Sequence, residues 1–198
     1  MSSSEFRQRV SDHPASLPGA VGGIVVTIGL LIVLRIGAGI ALSDPVHPVT
    51  YLSVAGGGFG AVGMFLLNKR VDNGQRFPPV DFWANWIGNG DVTEYQRQGL
   101  YLHVTYGAAV AGFYPRIVQE LMGGGAGEMF AALPLSLVTG LVFGLAVFAT
   151  AVVYARLGLF EIELDTEAIL PFVSSHLVYG LVLGLVVGLW LPVLQPLL

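Results

Sequence analysis

Two histidines and two tyrosines carry most of the chemistry this chain offers within its apolar stretches. They lie in a repeated five-residue pattern, His103-Val-Thr-Tyr106-Gly107 and His176-Leu-Val-Tyr179-Gly180. Imidazole changes charge near neutral pH, so a histidine with a tyrosine on the same helix face, one turn deeper, suits a proton or substrate relay. The same pair suits a hydrogen bond that pins neighbouring helices. Histidines at equal depth on facing helices would also permit haem ligation. No second histidine pair or electron-transfer signature accompanies them, so no cofactor is expected and haem is the minor reading. A zinc or dinuclear centre needs more ligands at that depth than the sequence provides.

The remaining candidates are charged. Arg35 and Arg116 fall in the outer thirds of apolar stretches, where a long side chain can reach the headgroups. Arg116 also stands one helical turn from Glu120, the spacing of an intrahelical ion pair. Asp44 and Glu128 are further possible partners for these arginines. An outer-side site for an anion or lipid headgroup is the sharper alternative. Pro115, beside Arg116, removes a backbone donor and is expected to kink its helix. No nucleophile elbow, zinc-protease signature, P-loop or dinucleotide fingerprint is present. The chain has no cysteine. No catalytic residue and no metal site is assigned, and the chain is not expected to be an enzyme.

The elements that must position these residues are apolar helices. The 198 residues are 54% hydrophobic and 11% charged, whereas a soluble domain carries about 25% charged residues. The charges gather in short stretches separated by apolar runs long enough to cross a bilayer. The expected fold is all-α, a polytopic bundle of five transmembrane helices at about 20–42, 49–68, 100–122, 129–155 and 172–194. Residues 1–18 are polar, bear prolines and are expected to be disordered and cytoplasmic; 19–198 form one transmembrane domain. Within 77–99, aromatic residues alternate with polar ones, and Val80, Trp83 and Ile87 share helical spacing, so an interfacial helix is expected. Asp91 then reads as the cap of the next helix, with Glu94 three residues on. Pro171 is expected in the first turn of the last span.

Orientation follows from the basic residues. With the N-terminus inside, Arg7, Arg9, Lys69, Arg70, Arg76, Arg97 and Arg156 all fall on the cytoplasmic side. The positive-inside rule therefore places the N-terminus in the cytoplasm and the C-terminus outside, in the cell membrane. The net charge of −4 is dispersed and forms no basic patch, which argues against nucleic acid.

The repeated pattern lies at the start of spans three and five, each time after an acidic cluster. Spans two and three would form one helical hairpin and spans four and five a second in the same orientation. The expected symmetry is a pseudo-two-fold along the membrane normal. Small residues recur at steps of four: Gly107, then Ala111; Gly180, Gly184 and Gly188; Gly56 and Gly60; Gly140 and Gly144. Residues four apart share a face, and small ones there let helix backbones approach closely. Asp165 to Gly188, an acidic connection followed by a His-x-x-Tyr-Gly helix with spaced glycines, resembles small polytopic membrane proteins of archaea and bacteria in the domain-of-unknown-function class. That resemblance implies a fold and no activity.

The leading expectation is a non-enzymatic bundle whose partners are the lipid bilayer and, through glycine faces, a second copy or a larger membrane complex. The alternatives are a small transporter or channel for a proton, ion or solute lined by His103 and His176, and a haem-binding subunit.

Overall fold

The computed structural model describes residues 48–71, 78–88, 91–122, 126–156 and 166–195. The expected first span with Arg35 lies outside them, as do residues 1–18 and Glu161, Glu163 and Asp165. The described residues are helical, with no strand among them. In chain order the helices are α1 (Pro48–Val71), α2 (Pro78–Trp86), a 3-10 turn (Val92–Tyr95), α3 (Gln96–Ala111), α4 (Tyr114–Met122), α5 (Ala126–Ala131), α6 (Leu133–Arg156) and α7 (Thr166–Leu194). Three stretches, Pro48–Asn68 in α1, Leu133–Val153 in α6 and Ile169–Leu194 in α7, are long and apolar enough to cross a membrane.

The third expected span is interrupted. α3 ends at Ala111, the chain turns at Gly112 and Phe113, and α4 begins at Tyr114. Pro115 supplies the reason: it has no N–H for the Ala111 carbonyl four residues earlier, and its ring crowds that carbonyl. Gly112 and Phe113 instead bond to carbonyls of Ala108, Ala109 and Val110. Pro171 also departs from expectation. α7 already begins at Thr166, so this proline lies inside the helix. There it withdraws one backbone donor in the second turn of the helix.

Packing follows the small residues of α1. Gly57 and Ala61 face α3, where a Cβ at Gly57 would strike Ala111 and the Gly107 carbonyl. Gly56, Gly60 and Gly63 face α7, toward Leu183, Tyr179 and Val178. Rising numbers on α1 meet falling numbers on both neighbours, so α3 and α7 run parallel to each other and antiparallel to α1. α6 then packs antiparallel on the opposite side of α7. The four helices form an open row, α3–α1–α7–α6. A closed two-fold pair of hairpins would pack α3 on α6 as α1 packs on α7, and those two helices make at most marginal contact. The physical difference is that α1 has small residues on two faces, whereas Gly140 and Gly144 of α6 both serve α7.

The short elements cover this row. α2 docks on the start of α3, with Val80 wholly buried. A Cβ at Gly99 would come within 2.7 Å of the Val80 Cα, so only glycine admits this contact. The buried face of α2 is Val80, Phe82 and Ala84; Trp83 is half-buried, and Ile87 lies beyond the helix and is exposed. Asp91 accepts a bond from the Thr93 amide at 3.0 Å and caps the 3-10 turn. Tyr114 and Val118 of α4 join the apolar core, which runs through Val49, Leu52, Phe143, Leu183 and Val187.

Candidate functional site

The two His-x-x-Tyr-Gly segments come together across α1. Gly60 leaves room for the Tyr179 ring: a Cβ there would lie 2.9 Å from Tyr179 Cδ2 and from its carbonyl oxygen. The ring continues toward α3, where the Gly107 Cβ position is 3.4 Å from Tyr179 Cε2. The Tyr179 hydroxyl then donates to the Gly107 carbonyl at 2.7 Å, and the side chain is 1% exposed. One motif's tyrosine is thus bonded to the other motif's glycine. Tyr106 is near enough to Tyr179 to interact with it electrostatically.

His176 is buried one turn along α7. Its Nδ1 lies 2.8 Å from the Phe172 carbonyl. A carbonyl only accepts, so Nδ1 carries the proton, and Nε2 of the neutral ring is the acceptor. The ring edge packs against Phe172 and Phe148, with centroid separations of 4.7 and 5.6 Å. His103 is half-buried with its Nε2 withdrawn from solvent, and it lies within electrostatic reach of His176. Of the four, Tyr179 alone is seated on an α1 glycine; the His176 ring packs on Phe172 and Phe148.

The remaining glycines lie between α6 and α7. A Cβ on Gly140 would strike the Gly180 carbonyl, one on Gly144 the His176 carbonyl, and one on Gly184 the Ser136 carbonyl. Gly180 meets Gly140 and Gly144 in return, and a Cβ on Gly188 would lie 3.0 Å from the Leu133 and Ser136 side chains. Ser136 adds a hydrogen bond across the seam, donating to the Gly184 carbonyl at 2.9 Å. These faces are occupied by the chain's own helices.

Arg116 and Glu120 form an ion pair on the exposed side of α4, beyond the Gly112–Phe113 turn from the histidine motif. Glu128 is exposed on α5. Among the described residues, no three histidine or carboxylate side chains gather to hold a metal ion.

A second buried polar cluster escapes a reading of the sequence. Tyr114 is fully buried, its hydroxyl 2.5 Å from Thr139 Oγ1 and its ring edge-on to Phe130 and Phe143 at 5.5 and 5.3 Å. The available signal was a tyrosine in an apolar stretch immediately before a proline, since a buried phenol needs a partner. No family model, curated protein or solved structure matches this chain.

Proposed function

We propose that this chain is a multi-pass membrane protein with a structural or accessory role: a five-span bundle, N-terminus in the cytoplasm and C-terminus outside, built from two like-oriented hairpins and a preceding span. The observation that carries the reading is the bond from the Tyr179 hydroxyl to the Gly107 carbonyl, made where α1 has no side chain. The Tyr179 hydroxyl of the repeated motif is used to fasten one helix to another. His176 is satisfied within its own helix, by the Phe172 carbonyl.

Duplication is supported by a shared local geometry. Gly107 rests on Gly57 and Ala61 of the helix before it, and Gly180 rests on Gly140 and Gly144 of the helix before it. In both cases a motif glycine meets small residues four apart. A shift along the row, carrying α1 onto α6 and α3 onto α7, relates the hairpins better than a two-fold axis does.

The test is a double variant, His103→Ala with His176→Ala, purified in detergent beside the wild type. The structural reading expects a lower melting temperature and an unchanged visible spectrum. A wild-type Soret absorbance that the variant loses would replace it with the haem reading.

A relay for a proton or small solute is the second reading, favoured by the electrostatic reach between His103 and His176 one turn from the Tyr179 hydroxyl. It requires flux across liposomes that changes between about pH 5 and 8, where histidine titrates. Correctly inserted protein without flux for a panel of ions and solutes eliminates it.

A further inference from the structure

α4 sorts its residues by face. Tyr114, Ile117, Val118 and Leu121 follow the spacing of a single apolar stripe, and Arg116, Gln119 and Glu120 fall on the opposite side. The bundle takes up only half of the stripe. Tyr114 and Val118 are buried in the core, whereas Ile117 is 42% and Leu121 73% exposed. The ion pair between Arg116 and Glu120 is exposed as well. α4 therefore presents an apolar edge and a charged edge side by side, which suits the boundary between an apolar phase and water.

Two aromatic side chains mark that boundary independently. α1 and α7 run antiparallel with Gly60 against Tyr179. Tyr51 lies nine residues from Gly60, and Trp190 eleven from Tyr179, toward the same end of the bundle. They stand at nearly one level and are 53% and 54% exposed. Exposed Tyr and Trp gather where a membrane meets water. α4 belongs to this end too. Leu133, at the start of α6, meets Gly188 of α7, and Tyr114 reaches Thr139, six residues further into α6. At 1.5 Å per residue that is about 9 Å, and a helix lying in a membrane surface sinks its apolar face about 5–10 Å.

We propose that α4 lies in the lipid surface at this end of the bundle, with Ile117 and Leu121 among the acyl chains and Arg116, Gln119 and Glu120 among the headgroups. This placement rests on reading the chain as a membrane protein, and it makes α4 the surface-lying close of the third crossing. The Gly112–Phe113 break lets α4 leave the direction of α3. Turned the other way, Arg116 and Glu120 would enter hydrocarbon, where charged groups are costly, and Leu121 would enter water. The pair carries one charge of each sign, so this edge fits lipid headgroups in general and selects no anionic lipid.

The natural absence of cysteine allows a nitroxide label at one chosen site at a time. Gln119→Cys and Leu121→Cys are labelled in the full-length protein in phosphatidylcholine liposomes, with Ile117→Cys as a second report on the apolar edge. Val142→Cys, 57% exposed beside Gly140 on α6, marks the middle of the bundle. Paramagnetic resonance reads how far oxygen, which enters the bilayer, and a neutral nickel chelate, which stays in water, reach each label. The expected result is Val142 open to oxygen alone, Leu121 and Ile117 open to oxygen at a shallower depth, and Gln119 open to nickel. Leu121 as open to nickel as Gln119 overturns the placement, because α4 then stands in water. Gln119 and Leu121 both as deep as Val142 overturn it in favour of a helix immersed in the bilayer. Both closed to both reagents overturn it in favour of a protein partner on α4. Val142 open to nickel rejects the membrane reading itself, and the placement with it.

Discussion

Tyr179 shows how one side chain can serve two interfaces. Its ring fills the space over Gly60, while its hydroxyl reaches the Gly107 carbonyl. Hydrogen bonds between membrane helices are worth about 0.6 kcal/mol on average and up to about 1.7. Tyr179→Phe, which keeps the ring, is therefore expected to cost about 1 kcal/mol, read as a lower melting temperature in detergent. The glycines give a sharper contrast. Gly180→Ala would drive a methyl group into the Gly140 backbone, and overpacking of this kind costs about 1–3 kcal/mol. Gly58→Ala meets only Ala108 and Val104, both at 3.9 Å, and is expected to leave the melting temperature unchanged. Equal losses for the two would refute close backbone approach at Gly180.

Among the elements, the α3–α4 break is the one with a single residue behind it. Without Pro115 the Ala111 carbonyl regains its donor, and the helix can run straight through Phe113. Straightening would draw Tyr114 away from Thr139, Phe130 and Phe143. Pro115→Ala is therefore expected to lower stability although alanine is the better helix former; a thermal melt decides, and a stabilised variant would show that the break is not needed. α2 depends on Gly99 in a comparable way. Gly99→Val places methyl groups on the Val80 backbone, so α2 should lift from α3. A red shift in tryptophan emission, from Trp83 on α2, would report it.

Across the whole molecule, the open row sets which apolar residues are protein core and which meet another apolar phase. Leu183 is fully buried between helices, whereas Leu145 on the edge helix α6 is 43% exposed. Leu183→Ala should cost about 2–5 kcal/mol through the cavity it leaves. Leu145→Ala should stay within about 0.5 kcal/mol, because lipid or detergent refills the space. Comparable melting losses for both would mean that α6 is covered on its outer side. The row also limits self-association. Gly56, Gly60, Gly140 and Gly144 already meet helices of the same chain, so a second copy would have to use a different face.

The apolar, helical character of the chain was legible in its sequence, because span length and the exclusion of charge depend on composition alone. The special standing of His-x-x-Tyr-Gly was legible too, since polar groups in an apolar stretch need partners whatever the fold. So was the Arg116–Glu120 pair, a contact set by helical spacing. Which partners the motif takes was decided only in three dimensions. Tyr179 finds Gly107 across seventy-two positions because α1 carries small residues on two faces, and no local pattern says which face receives which helix. The same holds for the open row in place of a two-fold and for the burial of Tyr114 against α6. Periodicity tells a residue which side of its helix it shares; only the packed bundle tells it what stands opposite.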